Sequence, residues 1–136
     1  MIIRTALSQS YRNLAEHICK INGWECQIVP RNAVSISKPD MYIGSQYDVA
    51  YERTYILMNM PKVLYITVEG EYVYQYAWNY LREICNRAHC IVPTKWGKGV
   101  FESHNVRVAD VIYHALPDGW QNVKHPPGPY DVVYLN

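Results

Sequence analysis

Short runs of apolar residues alternate along this chain with stretches in which apolar positions recur at helical spacing. The run Lys62–Gly70 is β-branched, aromatic or aliphatic almost throughout, until Glu69 and Gly70 close it. Such a run is typical of a strand that is buried on both faces in the middle of a parallel sheet. Ligands bind just beyond the carboxyl ends of such strands, so the pattern predicts that Glu69 and Gly70 lie at a site. The alternative is that Glu69 is a solvated side chain in a strand-to-helix loop.

The residues before this central strand predict a strand–helix–strand unit followed by a third strand. Apolar positions at helical spacing follow Ser8 or Ser10, either of which can cap a helix, and Gly23 ends that helix in a left-handed turn. In order, the pattern predicts strands at Ile2–Leu7, Trp24–Val29 and Tyr47–Tyr51, with a connection over residues 31–46. The segment Glu52–Met60 is ambiguous between a loop and one helical turn.

The second half repeats the alternation of helix and strand. Helical spacing after Gly70 is followed by a strand at His89–Val92, a short helix capped by Thr94, and a sixth strand at Val108–Tyr113. Within the short helix, the spacing of Trp96 and Phe101 predicts that both belong to the core. The whole pattern predicts an α/β fold with a single Rossmann-like, doubly wound and mostly parallel sheet.

Length and charge exclude several classes of protein. The chain has 136 residues, enough for one domain with a proper core. Its net charge of +1 carries no electrostatic signature of a nucleic-acid partner. No apolar run approaches the roughly 18 residues of a membrane span, and the N-terminus is too short and mixed for a secretory signal. We therefore expect a cytoplasmic protein without a membrane span.

The four cysteines, Cys19, Cys26, Cys85 and Cys90, lack regular spacing and fall in predicted helices and strands. Without a secretion signal, buried free thiols are a better interpretation than disulfides. His89 lies next to Cys90, but this cluster lacks a C-x-x-C pair and a matching second pair, so we predict no metal and no cofactor.

Tyrosine is unusually frequent, with 13 tyrosines against one phenylalanine. Because a tyrosine ring carries a polar tip, many of these rings are expected at edges, on a cleft wall or at an interface.

From Tyr47 to Pro117 the order of these signals resembles the N-terminal, acceptor-side lobe of GT-B glycosyltransferases of the family-four type. Four segments carry the resemblance: Ile21–Val29, Lys62–Gly70, Ile91–Phe101 together with Ser103–Val106, and Val111–Pro117. The third contains a Val-Pro-Thr sequence, a short helix and a Gly-Val sequence. The resemblance implies that residues 1–117 form one such lobe, followed over residues 118–136 by a Pro- and Gly-rich linker and a final strand.

The resemblance also implies an activity, the transfer of sugar from a nucleotide-sugar. The family's second lobe holds that donor, so we expect it to come from another polypeptide or from a second copy of the chain. A lone lobe exposes a face, and together with the tyrosine excess this predicts a homo-oligomer or a partner protein. Two features depart from the family: Glu69 stands where many members carry a histidine, and the first loop, Ala6–Ser10, contains no glycine.

The candidate catalytic residue is Glu69, as a general base or as a ligand of the acceptor hydroxyl. Each predicted acceptor- or ligand-binding residue has a structural alternative: Gly70 as a turn residue, Thr94 as an ordinary N-cap, Lys95 and Lys98 as solvated lysines, and His114 as a hydrogen-bonded loop histidine.

Three hypotheses from different classes remain. The chain is a glycosyltransferase-like acceptor lobe, or a catalytically inactive binding module that keeps the fold and oligomerises. The third hypothesis is an unrelated doubly wound domain that binds a nucleotide or another small ligand at its switch point.

Overall fold

Strands and helices alternate along residues 1–34, 37–71 and 73–113, which are the residues that the computed structural model describes. The strands are β1 (Ile2–Thr5), β2 (Gln27–Pro30), β3 (Met41–Ser45), β4 (Val63–Thr67), β5 (His89–Val92) and β6 (Asp110–Val111). The helices are α1 (Gln9–Asn22), α2 (Gln46–Tyr51), α3 (Arg53–Met58), α4 (Gln75–Cys85) and α5 (Lys95–Ser103).

The six strands form one sheet in the order β2-β1-β3-β4-β5-β6, and every neighbouring pair is parallel. The predicted Rossmann-like α/β fold is therefore confirmed. β4 lies inside the sheet between β3 and β5, as expected for the run that ends in Glu69 and Gly70. The predicted linker and final strand over residues 118–136, and His114, lie outside the described residues.

Local sequence explains both ends of α1. The Ser8 side chain accepts a hydrogen bond from the Ser10 backbone N–H at 3.2 Å, so Ser8 is the N-cap. At the other end Gly23 has φ of +63°, and its N–H satisfies the carbonyls of the last helical turn. This left-handed residue reverses the chain from α1 towards β2.

The same reversal corrects the expectation of four free thiols. Cys19 and Cys26 form a disulfide, with their Cα atoms 6.4 Å apart, inside the range that the bond requires. Spacing in the sequence did not indicate it, because only the Gly23 turn folds the start of β2 back along the last turn of α1. Cys85 and Cys90 are free and buried, as expected.

The third strand was predicted in the wrong place. Tyr47–Tyr51 belongs to helix α2, and the strand is Met41–Ser45 inside the predicted connection. Ser45 and Asp48 form a capping box, in which the Ser45 hydroxyl accepts from the Asp48 N–H while the Asp48 carboxylate accepts from the Ser45 N–H. These two hydrogen bonds start a helix where the apolar residues alone suggested a strand.

Each face of the sheet carries its own core. On one face Tyr42, Leu64 and Ile66 pack against α2 to α5, whereas Ile43 and Tyr65 point to the opposite face and pack with residues of α1. Alternation of side chains along each strand produces this division. Both faces of β3 and β4 are therefore buried, which is why these strands are apolar almost throughout.

Trp96 does not belong to the core, contrary to the prediction, since half of its surface is exposed. Phe101 is fully buried, and Gly97 and Val100 share its side of α5. Trp96 precedes Gly97 by about 100° of helical rotation, so it points away from the sheet.

Among the described residues no helix is both long and apolar enough to cross a membrane.

Candidate functional site

The sheet has its topological switch point between β1 and β3. From β1 the chain crosses by α1 to β2 at one side, whereas from β3 onwards each strand is added on the other side. At such a switch point the loops leaving the two strands separate, and ligands of open α/β sheets bind there, beyond the carboxyl ends. The loop after β4, with Glu69 and Gly70, borders the same edge.

The Glu69 carboxylate is held by a chain of hydroxyl groups from two elements. The Tyr11 hydroxyl on α1 donates to Glu69 Oε1 at 2.9 Å and lies 2.6 Å from Thr67 Oγ1 at the end of β4. Because Tyr11 has one hydroxyl proton, Thr67 donates to Tyr11 while Tyr11 donates to Glu69. Glu69 itself is exposed, so its oriented carboxylate faces the solvent at the edge of the sheet.

The pKa of Tyr11 follows from this position. Burial raises the pKa to about 12, the hydrogen bond from Thr67 opposes the rise, and the Glu69 carboxylate adds to it. Tyr11 is consequently a protonated phenol at every physiological pH and a permanent donor to Glu69.

Gln46 fixes the backbone of the Glu69 loop. Its side chain is fully buried, its Oε1 accepts from the Glu69 N–H at 2.9 Å, and its Nε2 donates to the Gly70 carbonyl at 2.6 Å. The oxygen and the nitrogen of the Gln46 amide are therefore both used to position Glu69 and Gly70. Sequence reasoning missed Gln46 because it placed the third strand too late; the Ser45–Asp48 capping box is the signal that locates it at the first turn of a helix.

Gly70 adopts a backbone conformation that other residues can adopt, since its φ is not positive. A Cβ at this position would meet only the Tyr47 hydroxyl, at an ordinary contact distance of 3.6 Å. The folded protein itself therefore does not require glycine at position 70, either for a tight turn or for close packing of the backbone.

The N-terminus of α5 lies beside the loop after β4. A Cβ on Gly97 would come within 2.9 Å of Val68 Cγ2, so the missing side chain is what lets α5 approach this loop. This contact explains why glycine, which has a low helix propensity, occurs at position 97 within α5. Thr94 is the N-cap, and its Oγ1 accepts from the Gly97 N–H at 2.9 Å.

The two predicted lysines differ in their surroundings. Lys98 lies 3.6 Å from Glu102 one turn further along α5, a pair that competes for its charge with any anionic ligand. Lys95 is exposed in the first turn. Thr94 and Lys95 thus border the same edge as Glu69, whereas His114 falls outside the described residues.

A network of ion pairs, which the sequence did not indicate, holds together the elements that form this edge. Arg4 on β1 pairs with Glu52 at 3.0 Å, and both side chains are about 6% exposed. Arg31 contacts Asp48 at 2.6 Å, which ties the segment after β2 to the capping box of α2. Burial raises the pKa of Glu52, and the hydrogen bond from Arg4 opposes that rise.

A cavity of about 630 Å³ with mostly apolar walls lies elsewhere, at the amino ends of the strands. Met41, Val63, Tyr65 and Ile91 contribute much of its apolar wall. The loop after β4 borders a second groove of about 590 Å³, which contains Glu71, Gln75 and His104. We place the candidate site at the carboxyl edge because the acid, hydroxyl and amide groups converge there.

Within the described ranges no three histidine, cysteine, aspartate or glutamate residues are grouped so that they could hold a metal ion. Comparison with protein-family models, with curated proteins and with solved structures finds no match to this chain.

Proposed function

We propose that this chain is the acceptor-side lobe of a sugar transferase. In this proposal it binds the hydroxyl group that receives the sugar, and a second lobe supplies the nucleotide-sugar. The supporting observation is the exposed Glu69 carboxylate at the carboxyl end of the central strand, oriented by the Tyr11 hydroxyl at 2.9 Å. A positioned carboxylate at the rim of a crevice is the group that activation of an acceptor hydroxyl needs.

In the proposed mechanism Glu69 accepts the proton of the acceptor hydroxyl as that oxygen bonds to the anomeric carbon of the sugar. The bond from that carbon to the nucleotide diphosphate breaks, and the diphosphate leaves with the bonding electron pair. For this step the acceptor oxygen must lie within about 3 Å of the carboxylate. Tyr11 holds one carboxylate oxygen and Gln46 holds the loop, so the base is preorganised before the substrate arrives. Such positioning supplies a large part of the rate in a reaction between two bound substrates.

The other predicted residues take binding roles in this proposal. Gly70 lets the acceptor approach the backbone next to Glu69. Thr94, Lys95 and Lys98 line the neighbouring end of α5 and would contact an anionic part of a substrate. His114 remains a predicted ligand-binding residue.

The proposal requires an oligomer or a partner, because one lobe forms only one wall of the cleft. The second lobe would come from another polypeptide or from a second copy of the chain. A cytoplasmic location remains a prediction. The Cys19–Cys26 disulfide argues in the other direction, since disulfides are rare in that compartment.

The decisive experiment measures sugar transfer. UDP-glucose, UDP-N-acetylglucosamine and GDP-mannose are incubated with a mixture of reducing sugars and the full chain, alone and with copurifying proteins, and products are detected by mass spectrometry. We expect a product that requires the chain and that falls by at least about a hundredfold with Glu69→Gln, the usual scale for loss of a general base.

Glu16→Gln is the matched control, since Glu16 is an exposed carboxylate on α1 outside the site. Full transfer by Glu69→Gln would remove Glu69 from the mechanism. Binding of sugars without transfer under every condition would favour the alternative, a binding module that keeps the fold and lacks catalysis.

A further inference from the structure

A row of tyrosine rings begins beside the candidate site and continues along α4. Tyr74 and Tyr76 are stacked, with ring centroids 5.5 Å apart and planes within 5° of parallel, and Tyr80 follows at 5.7 Å. Tyr74 is 75% exposed and Tyr76 is 56% exposed, so the row presents aromatic surface to the solvent. A contiguous patch of exposed apolar surface marks a binding site more often than single exposed residues do.

The far end of this row is fixed by charge. Arg53 on α3 lies over the Tyr80 ring, 4.4 Å from its centroid, and pairs with Glu83 at 2.9 Å. This cation–π contact restrains Tyr80 and, through it, the neighbouring ring. A surface that is ordered before binding loses less conformational entropy when a ligand arrives.

Two grooves flank the row and share one wall. The groove of about 590 Å³ and a neighbouring groove of about 400 Å³ are both lined by Tyr47, Val73 and Tyr74. Tyr47 also connects them to the candidate site, since its hydroxyl lies 3.6 Å from the position of a Cβ on Gly70. The grooves and the Glu69 loop therefore form one continuous surface.

We infer that these two grooves together, called here the tyrosine groove, bind the chain of a neutral oligosaccharide, with pyranose rings against the exposed surfaces of Tyr74 and Tyr76. A pyranose ring offers an apolar C–H face for an aromatic ring and a rim of hydroxyl groups for polar side chains. The tyrosine groove supplies both. Tyr74 and Tyr76 line its smaller part, and Glu71 and Gln75 lie beside Tyr74 in its larger part. That the bound oligosaccharide is the acceptor of sugar transfer rests on the proposed function, whereas its binding in the groove does not.

The charges that line the larger groove disfavour a polyanion. Bases of single-stranded nucleic acid also stack on aromatic rings, but such sites need a positively charged channel for the phosphates. No lysine or arginine occurs among the described residues that line the larger groove, and Glu71 adds a negative charge. The carboxylate also disfavours a protein partner, since the buried centre of a protein interface is depleted in glutamate.

The test uses the full chain and three linear hexasaccharides, namely maltohexaose, cellohexaose and chitohexaose. Binding is measured by calorimetry and by NMR for the wild type and for the double variant Tyr74→Ala/Tyr76→Ala. We expect at least one hexasaccharide to bind, and the double variant to bind it about tenfold more weakly, because both stacking faces are lost. Circular dichroism should be unchanged, since both side chains are exposed.

Tyr113→Ala is the control, since Tyr113 is an exposed tyrosine outside both grooves. The inference is overturned if no hexasaccharide binds, if the double variant binds like the wild type, or if a single-stranded oligothymidylate binds the row more tightly than the sugars do.

Failure of this inference can be told apart from failure of the proposed function. Tyrosine-dependent binding without any transfer would retain the groove and overturn the transferase proposal. If the double variant Tyr74→Ala/Tyr76→Ala transferred sugar as well as the wild type, the transferase proposal would stand and the inference about the tyrosine groove would be overturned. Glu69→Gln is expected to abolish transfer while preserving most of the hexasaccharide affinity.

Discussion

The two edges of the same sheet are held together by different chemistry. At the carboxyl edge, Arg4, Gln46 and Tyr11 bury polar groups and use them in hydrogen bonds and ion pairs. At the amino edge, a disulfide joins α1 to β2 beside an apolar cavity of about 630 Å³. Polar networks orient side chains, whereas a covalent link and apolar walls mainly confer stability. This contrast is the reason that we propose the functional site at the carboxyl edge.

The largest effect is expected when the buried ion pair of the carboxyl edge is broken. Arg4→Met leaves Glu52 buried without its main partner and should cost about 3–5 kcal/mol of unfolding free energy. The double variant Arg4→Met/Glu52→Leu should recover much of that loss, because no charge then remains unpaired. Urea denaturation measures both, and a single variant as stable as the wild type would show that the pair contributes nothing.

At the amino edge the corresponding change is removal of the disulfide. Cys19→Ser/Cys26→Ser should lower the unfolding free energy by about 2–3 kcal/mol, since the unfolded chain regains the freedom of a short loop. The acceptor binding that we propose at Glu69 should be unaffected, because Glu69 lies at the opposite edge. Thiol counting by mass spectrometry checks the bond itself, and four reactive thiols in the unfolded, unreduced protein would contradict it.

Gln46→Leu tests how far the carboxyl edge depends on one amide. The Glu69 N–H and the Gly70 carbonyl lose their partner, and about 1–3 kcal/mol of stability should be lost with them. The acceptor binding that we propose at Glu69 should weaken more than the loss of stability alone explains, because the loop is released. Calorimetric binding well below the unfolding temperature separates the two effects, and unchanged affinity would contradict the role given to Gln46.

The raised pKa of Tyr11 predicts that the stability of the fold depends on pH. Its folded pKa, about 12, lies above its ordinary value of 10.0, so its contribution to stability is fully present below pH 10 and is lost as the pH rises through 12. Ultraviolet titration of tyrosinate should show one group near 12 that Tyr11→Phe removes. Glu69→Gln should lower the pKa of Tyr11, because the carboxylate is one of its causes.

The smallest effect is expected inside the apolar cavity. Val63→Leu adds one methylene group next to open space and should change the unfolding free energy by less than about 1 kcal/mol. Thermal unfolding checks this outcome. A loss of several kcal/mol would mean that the amino edge is as tightly packed as the carboxyl edge, and the comparison would fail.

Much of the fold could be predicted because its signals are local. The central strand, helix α4 and the Thr94 cap each follow from a few neighbouring residues, and the structure has all three. The third strand failed because Gly44 and Ser45 resemble loop residues. In the folded protein a Cβ at Gly44 would lie 2.9 Å from the Tyr42 ring, so packing within the sheet favours glycine there.

The candidate site was predictable only in part. Glu69 was found because it follows a buried strand, but Tyr11 lies 58 residues away in sequence and Gln46 lies 23 residues away. No local pattern marks a partner at such a distance. The outward direction of Trp96 was missed for a related reason, since helical spacing defines which residues share a face but not which face meets the sheet.

By itself the sequence determined the alternation of strands and helices, the central position of β4 and the acid at its end, because burial and capping act between near neighbours. Only the tertiary structure decided which distant side chains meet: Arg4 with Glu52, Cys19 with Cys26, and Tyr11 and Gln46 with the Glu69 loop. These contacts depend on strand order and on the direction of each crossover, which are set by packing of the whole sheet.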